Sequence, residues 1–440
     1  MKRLGVLASL CAVIAGCGSS GNSSNASSGA PATLRVQVEA DQASLRQMRA
    51  FADGFEALNP NVSVKLETVS NDAKTGTNLA VVASAHAPDV ALVPVGQPAY
   101  TKLVAQGSLA DLAPLWNRAE LDRRYPAALA DQTTYKGRHY VLSISSVFYD
   151  VLYYNRDLLS HAGISPPSDH RIASAQQLYD IAARLKAAGA QPLAVGGNSN
   201  YMVSWLVDAL LPTAVPREQL ANYLSSWKSS VAKTAAYTDP GFVRVLGQIA
   251  DYQRHGVFQK GYLGATPPAA EAAFQQGRAG MLLSGSWYAG VLAAAKPGFK
   301  YGWLLLPPLD PAGRTQLTSY FGVQWAVPTR ASNAPLAMRF LEYALSDDGQ
   351  ARGVIRATSN LPSVNSVPES AYGALDPLVR EMVADAKSNG VQSGWTSAVP
   401  GAIGQALINP LIQSMLAGRS DPAAVAAKVE AALPAVRAGH

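Results

Sequence analysis

The chain has 440 residues, of which 48% are hydrophobic and 15% are charged, and its formal net charge is +6. This composition is too apolar for a disordered chain and not apolar enough for a chain that crosses a membrane repeatedly. The length predicts two or three domains, and the scattered Lys and Arg residues give little support to nucleic-acid binding.

The N-terminus has the layout of a secretory signal. A basic "MKR" precedes an apolar run at residues 4–14, which is too short to span a bilayer as a stable helix. The run ends in "IAGC", which resembles a bacterial lipobox whose last residue, Cys17, is lipidated and becomes the first residue. An ordinary signal with a chance Cys near its cleavage site is the alternative. Residues 1–16 are thus predicted to be the signal peptide.

A tether is predicted to follow the lipidated Cys, so that residues 17–32 form the anchor and its linker. Residues 18–30 are rich in Gly, Ser and Asn, a composition typical of flexible linkers. Cys11 lies in the removed segment and Cys17 would become a thioether, so we expect no free thiol and no disulfide in the mature protein. A chain of this length can be held together by its hydrophobic core alone.

Short strand patterns then alternate with longer helical patterns. Strands are predicted at 33–40, 61–69 and 88–95, and helices at 44–60, 174–189, 335–355 (a pair) and 421–436. This alternation of β and α predicts an α/β fold with largely parallel sheets.

Motifs that would indicate an enzyme are absent from the sequence. There is no H-E-x-x-H zinc motif, no G-x-S-x-G nucleophile elbow, no P-loop and no G-x-G-x-x-G. The carboxylate pair of a glycoside hydrolase is formed only in space, so a secreted glycosidase stays open as an alternative. We expect a protein that is not an enzyme and has no cofactor and no metal ion.

Four segments, in order, resemble the extracellular solute-binding proteins of ABC importers, in the carbohydrate-binding group that includes maltose-binding protein. They are "FEALNPNVSVKLE", "APDVALVPVGQPAYTKLVAQGSLADLAPLW", "YKGRHYVLSISSVFYDVLYYNRDLLSHAGISPP" and "AAFQQGRAGMLLSGSW". Each segment is a weak signal alone, whereas their order behind a lipobox is specific. The likeness extends from about Thr33 to the C-terminus.

The resemblance implies a periplasmic-binding-protein-like fold, with two α/β lobes that are joined by a hinge and close on a ligand in the cleft between them. The lobes are predicted at 33–145 with 322–360, and at 146–321 with 361–440. It also implies a monomer outside the cytoplasm, anchored to the cell membrane, that delivers a sugar to a permease powered by a cytoplasmic ATPase.

Trp287 is the first predicted ligand contact, because a sugar cleft needs aromatic planes for sugar faces and short polar groups for hydroxyls. In "MLLSGSWYAG" a strand is predicted to end at Ser284 and a helix to begin near Ser286. Trp287 would then lie at the mouth of the cleft, where the matching Trp of maltose-binding protein stacks on sugar. A Trp packed against its own lobe is the alternative, as we expect for Tyr288. Ser284 and Ser286 either bind hydroxyls or cap the helix.

The first crossover between the lobes supplies a second group of candidates. Phe148 and Tyr149 are predicted to stack on the ligand, and Asp150 to accept two hydroxyl hydrogen bonds. Packing at the hinge is the alternative for each. Tyr153 and Tyr154, further along the same strand, are predicted to be core residues.

A polar stretch before a helix adds Asn198, Asn200 and Tyr201 as site candidates. Trp205 is assigned to the core, because "WLVDALL" has the pattern of a buried helix face. Trp395 lies where the family often places a late aromatic residue.

The second crossover contains Phe321-Gly322, where the family commonly has Gly-Gly. We expect the ring of Phe321 to occupy space near the ligand, which favours a ligand shorter than a long oligosaccharide.

Strand ends of the first lobe should also face the cleft. The polar residues at these ends are Glu39, Asp41, Gln42, Asn71, Asp72, Gly96 and Gln97. Ordinary loop chemistry is the alternative for each of them.

The predicted site residues include acids and amides but no Arg or Lys, which favours a neutral mono- to short oligosaccharide over a phosphorylated ligand. The acids Glu39, Asp41, Asp72 and Asp150 raise the further hypothesis of a cationic amino sugar. A glycerophosphodiester or sugar phosphate, bound by the same fold, stays open as the alternative.

Overall fold

A computed structural model describes residues 30–70, 77–95, 98–126, 129–130 and 133–439. The strands in this part of the chain are β1 (Ala32–Glu39), β2 (Val62–Val69), β3 (Ala91–Leu92), β4 (Thr134–Tyr135), β5 (Arg138–His139), β6 (Leu142–Ser143), β7 (Ser145–Asn155), β8 (Gln191–Ala194), β9 (Ala279–Gly285), β10 (Tyr301–Leu305), β11 (Leu317–Tyr320), β12 (Gln324–Ala326), β13 (Leu361–Pro362) and β14 (Val391–Ser393).

Helices occupy much of the remaining described sequence. They are α1 (Gln42–Leu58), α2 (Asn78–Val82), α3 (Pro98–Ala105), α4 (Ala113–Arg118), α5 (Leu121–Arg124), α6 (Arg156–His161), α7 (Ala175–Ala187), α8 (Met202–Ala214), α9 (Arg217–Ser225), α10 (Pro240–Arg254), α11 (Pro267–Gln275), α12 (Trp287–Ala295), α13 (Ala334–Ala344), α14 (Asp347–Gly349), α15 (Pro377–Asn389), α16 (Trp395–Ala398), α17 (Gln405–Leu416) and α18 (Pro422–Gly439). A π-helical segment, Gln350–Arg356, continues α14, and 3-10 turns lie at Tyr262–Gly264 and Glu369–Ala374.

The first sheet is built on β1, whose alternating Leu34, Val36 and Val38 are fully buried. β1 pairs with β2 in parallel, and a bridge from Val36 to Val90 links it to the antiparallel set β3-β12-β6. We call the part of the chain built on this sheet the first lobe.

The second sheet is organised around β7, all eleven residues of which are buried. β7 pairs antiparallel with β9, β10, β11 and β13, whereas β8 pairs with β9 and β14 with β11 in parallel. The expectation of largely parallel sheets is therefore wrong here, because the longest strand has antiparallel neighbours on both sides. We call the part built on this sheet the second lobe.

The predicted helices are present, with capping side chains that explain where they begin. Asp41 accepts a hydrogen bond from Ser44 N at the start of α1, and Ser174 accepts one from Gln177 N at the start of α7. The predicted pair at 335–355 is α13 followed by α14 and the π-helical segment. The predicted strand 88–95 contains only the two-residue β3, because prolines at both ends lack the N–H that a ladder needs.

The chain passes between the two sheets three times, after β6, after β11 and between β12 and β13. The predicted lobe boundaries lie near these three passages, and their assignment stays a prediction. Tyr153 and Tyr154 are 0% and 5% exposed, which confirms them as core residues. No helix in the described ranges is both long enough and apolar enough to cross a membrane.

Candidate ligand-binding cleft

The junction of β9 and α12 presents Trp287. β9 ends at Gly285 and α12 begins at Trp287, as the sequence pattern predicts. A methyl group added at Gly285 would lie 2.0 Å from Cζ3 of Trp287, so the indole folds back over this glycine. The ring is half-buried, whereas Tyr288 is 0% exposed and packs within its lobe, as expected.

Trp287 belongs to a group of aromatic rings that line one wall of the second lobe. The cleft aromatic cluster consists of Tyr149, Tyr201, Trp205, Trp287 and Tyr320. Trp205 lies at its centre, with ring centroids 4.9 Å from Tyr201, 5.2 Å from Tyr149 and 5.8 Å from Trp287. Tyr320 meets Tyr149 edge to face at 6.3 Å. All members except Tyr149 are half-buried, so their faces are partly accessible.

Carboxylates from both lobes lie beside this cluster. Burial raises the pKa of Tyr201, and the charges of Glu271, Glu39 and Asp41 raise it further, so all three acids lie within electrostatic range of the phenol. Glu39 ends β1 and Asp41 precedes α1 in the first lobe, while Glu271 lies on α11 of the second. Burial, with a contribution from Asp41, raises the pKa of Glu271 to about 7. The lobes thus meet at an acidic and aromatic surface.

Ser286 connects the β9–α12 junction to the first crossover. Its Oγ accepts a hydrogen bond from Phe148 N at 3.1 Å, and its own N–H donates to Phe148 O at 2.8 Å. It makes no side-chain cap for α12. Ser286 and Ser284 are 0% and 1% exposed, so neither hydroxyl is accessible to a ligand in this conformation.

Tyr149 and Asp208 form a buried polar centre behind the aromatic cluster. The Tyr149 hydroxyl donates to Asp208 Oδ2 at 2.9 Å, and Thr396 donates to the same carboxylate through its backbone N–H, at 2.7 Å, and its hydroxyl. Gly394 leaves space for this centre, since a methyl group there would lie 1.7 Å from Tyr149 Oη. Burial raises the pKa of Asp208 to about 7, and the hydrogen bonds act in the opposite direction.

Asp150 follows Tyr149 at an irregularity of β7. Its φ of +64° lies in the left-handed region, and the pairing of β7 with β9 shifts register between Tyr149 and Val151. The residue is 2% exposed. Burial raises the pKa of Asp150 well above its ordinary value, and the charge of Asp208 adds to this effect.

Three predicted aromatic contacts lie in the cores instead of the cleft. Phe148 and Phe321 are 5% and 6% exposed and belong to the same core cluster. The ring of Phe321 therefore does not fill space beside a ligand, and the expectation that it shortens the ligand is wrong. Trp395 is 1% exposed between Tyr237 and Phe242, which leaves neither of its faces open.

The remaining predicted residues lie around the cleft or outside the described ranges. Gln42 and Asn198 are exposed, and Asn200 is half-buried immediately before Tyr201. Gly322 has φ of +35° and approaches Ser145, since a methyl group there would lie 2.7 Å from Ser145 O. Cys17, Asn71, Asp72, Gly96 and Gln97 lie outside the described residues.

Three residues of this site were missed by the sequence prediction. Trp205 was assigned to the core, although it follows by about one helical turn the predicted site residue Tyr201, which immediately precedes α8. Asp208 is an acid inside an apolar helix pattern, which signals a buried polar partner. Glu271 carries no comparable signal, because only the packing of α11 brings it to the cleft.

A cavity of about 610 Å³ lies elsewhere, on the outer surface of the first lobe. It is lined by Leu45, Arg46, Arg49, Ala50, Asp53, Leu66, Thr68 and Ala357 and includes none of the cleft residues.

Comparisons with known proteins identify the family. The family model described as bacterial extracellular solute-binding protein matches residues 39–351, which is more than half of the chain. An uncharacterized ABC transporter extracellular-binding protein from Pyrococcus horikoshii is 22% identical over 347 residues, which span 77% of this chain and 73% of the relative.

Solved structures share the fold. A chitin oligosaccharide binding protein superposes with a TM-score of 0.74 at 20% identity, over 92% of this chain and 99% of its own. The GacH receptor of Streptomyces glaucescens, solved unliganded and with acarbose, gives 0.71 at 22% identity, over 94% and 100%. These neighbours are two-lobed binding proteins and not enzymes. The chain therefore belongs to the bacterial extracellular solute-binding proteins, and its place is outside the cytoplasm.

Proposed function

We propose that the protein is the lipid-anchored substrate-binding component of an ABC sugar importer. It binds a mono- to short oligosaccharide in the cleft between its lobes and delivers it to the permease as a monomer. The observation that carries this proposal is the cleft aromatic cluster, which faces carboxylates from both lobes.

The ligand would stack on the half-buried rings of the cluster. Trp287, Trp205 and Tyr201 offer planes to the C–H faces of pyranose rings, at angles that are not parallel to one another. The acceptors at the rim, Glu39, Asp41 and Glu271, bind hydroxyl or ammonium hydrogens. Gln42, Asn198 and Asn200 lie at the edges, where amides bind hydroxyl groups of a longer ligand.

An amine on the sugar is favoured over a phosphate. The groups that most affect Tyr201 and Glu271 are carboxylates, and no Arg or Lys of the described chain is among them. A phosphate would lie against like charges there, whereas an ammonium group would be stabilised by them and by the aromatic faces. An amino sugar is therefore the preferred ligand, and a glycerophosphodiester or sugar phosphate is the weaker candidate.

A secreted glycoside hydrolase is the least favoured alternative. Its two carboxyl groups would have to flank one glycosidic bond. Here Asp41 and Glu271 come from different lobes, and Asp41 already accepts the N-terminal hydrogen bond of α1. A chromogenic glycoside should accordingly stay intact in the presence of the protein.

Ligand screening of the mature protein tests the proposal. We expect the melting midpoint to rise with glucosamine or short amino-sugar oligomers, less with the corresponding neutral sugars, and not with glycerol 3-phosphate or glycerophosphocholine. At a ligand concentration of about 100 times Kd the gain in stability is about 2.7 kcal/mol. Glu271→Gln should reduce the preference for the amine and keep the binding of neutral sugars.

No shift with any sugar would contradict carbohydrate binding, and a shift with the phosphates alone would favour the weaker candidate. The anchor is tested separately, since Cys17→Ala should abolish metabolic labelling with palmitate and release the protein from membranes. An unlabelled wild-type protein would show that Cys17 is not lipidated.

A further inference from the structure

A group of buried oxygen atoms lies behind the cleft aromatic cluster without any hydrogen-bond donor. Neither carboxylate oxygen of Asp150 has a partner among the described residues, and Oε1 of Gln392 also has none. The two residues are 2% and 8% exposed. Buried acceptors without a partner each cost about 1–3 kcal/mol, more when charged, so this arrangement calls for a group that satisfies them.

The surrounding hydrogen bonds bring these oxygens together. Thr318 pairs with Tyr149 across β11 and β7, and with Gln392 across β11 and β14. Gln392 Nε2 donates to Thr318 Oγ1 at 3.1 Å and to Asp208 O at 3.0 Å. The Thr318 hydroxyl also acts on the pKa of Asp150, lowering it, although it makes no hydrogen bond of normal geometry with the carboxylate. Thr318 thus lies between the two orphaned groups.

The carboxylates of Asp150 and Asp208 have no basic side chain beside them among the described residues. Asp208 receives three hydrogen bonds, from Tyr149 and twice from Thr396, which stabilise its ionised form. Asp150 receives none, and the groups that act most strongly on either carboxylate include no basic side chain of the described residues. When Asp150 is ionised, its buried charge has no partner among the described residues, and such a charge is costly unless a cation or a proton compensates it.

We propose that Asp150 and Gln392, with Thr318, form a buried site for a single monovalent cationic group. Its candidate ligands are the three oxygens without a partner, from Asp150 and Gln392, together with Oγ1 of Thr318. Oxygen-only sites suit hard cations, and one uncompensated charge matches one positive charge. No group of three or more His, Cys, Asp or Glu side chains that could hold a metal occurs in the described ranges, so a transition-metal site is not implied.

Two sources could supply the cation. One is an alkali ion such as sodium, whose binding is independent of the proposed function. The other is the ammonium group of an amino sugar that reaches past Trp205 and Tyr149. This second source rests on the proposed function. In both cases the cation ties β7, β11 and β14 together behind the aromatic cluster.

Thermal denaturation of the mature protein in sodium-free buffer tests the ion. NaCl, KCl and LiCl are compared at the same total concentration, so that the ionic strength is constant and only the cation differs. We expect a saturable rise of a few degrees in the melting midpoint with one ion, and its loss in Asp150→Asn. That variant is isosteric, and Asn tolerates the left-handed backbone at this position (φ +64°), so the fold should be retained. Asp53→Asn, at an exposed position, is the matched control and should respond as the wild type does.

Whether an amino sugar supplies the cation is tested by calorimetric titration with glucosamine and N-acetylglucosamine. If the solute supplies the cation, wild type should show no ion effect and should prefer glucosamine at least tenfold, and Asp150→Asn should lose that preference. If neither sugar binds while sodium stabilises, the proposed function fails and the ion site stands. Absence of both effects, with Asp150 protonated at neutral pH by infrared spectroscopy, would overturn the site, because a proton would then satisfy the carboxylate.

Discussion

Trp287 owes its position to the absence of a side chain two residues earlier. The indole lies over Gly285 and meets Trp205 at 5.8 Å, and the residue stays half-buried, so part of the ring is open to solvent. Tyr288, the next residue, turns about 100° around the helix and is buried in the lobe. Adjacent aromatic residues therefore have separate roles, one towards the ligand and one in the core.

Removal of the Trp287 ring should weaken ligand binding with little effect on the fold. We expect Trp287→Ala to raise Kd for the sugar at least tenfold, about 1.4 kcal/mol, because a desolvated stacking face is lost. Calorimetric titration measures Kd, and circular dichroism checks the fold. Trp227→Ala is the control, since Trp227 is also half-buried but lies outside the cleft cluster. Equal losses in both variants would show that Trp287 acts only through stability.

The junction between the strand β9 and the helix α12 is the basis of a second prediction. Gly285→Ala adds a methyl group that would overlap the Trp287 ring at 2.0 Å, and the ring must move to accommodate it. Binding should then fall about as far as in Trp287→Ala, although every polar and aromatic side chain of the cleft is retained. Titration of the variant with the same sugar measures this effect.

Gly298→Ala provides the matched control, because a methyl group there has nothing within 4 Å. Unchanged affinity in Gly285→Ala would mean that the ring has room to move without loss of its contact with the ligand.

The sequence patterns predict the elements better than they predict the pairing between them. The alternation in β1 is a local signal, and the structure confirms this strand. The caps of α1 and α7 are local as well, since Asp41 and Ser174 each accept a hydrogen bond from the N–H three residues on. The antiparallel neighbours of β7 depend on contacts with strands more than a hundred residues away in sequence, such as β9 and β11. A strand that is buried on both faces is largely apolar whether its neighbours run parallel or antiparallel to it. Its composition therefore does not reveal the direction of those neighbours.

The same distinction applies to the site. Trp287 could be predicted because a strand end, a glycine and a helix start adjoin in sequence. Trp395 and Phe321 also follow strand ends, but their rings turn into the cores, which depends on the packing of Tyr237, Phe242 and other distant residues. Burial of a given aromatic side chain is decided by the tertiary structure, so sequence position alone could not separate these cases.

For the whole molecule, two buried acids and the half-buried Glu271 predict an unusual dependence of stability on pH. The pKa values of Glu271 and Asp208 are raised to about 7, and that of Asp150 is raised as well, chiefly by burial. Between pH 5 and about 7 these groups hold protons in the folded state that the unfolded chain has released. Their contribution to stability is therefore fully present at low pH and is lost as the pH rises through about 7.

In sodium-free buffer without ligand, we expect the free energy of unfolding to fall between pH 5 and 8, by an amount on the order of 3 kcal/mol. Urea denaturation followed by circular dichroism measures this. Asp385 does not offset the fall: burial raises its pKa, but the hydrogen bond and charge of Arg171 outweigh this and lower it, so it is ionised throughout this range. A free energy that is constant or rises with pH would show that the acids are paired with cations at all pH values tested. Addition of the cation that fills the Asp150 site should flatten the profile.

The pairing of Trp205 with Trp287 has an optical consequence. Of the seven Trp residues, Trp116, Trp303, Trp325 and Trp395 are at most 2% exposed, so their surroundings change little when the lobes move. The two indoles of the cleft lie 5.8 Å apart, nearly edge to face, at the place where a sugar would displace water. Fluorescence emission from this pair therefore reports occupancy of the cleft without any attached dye, and the unmodified protein serves as its own sensor for the solute it carries.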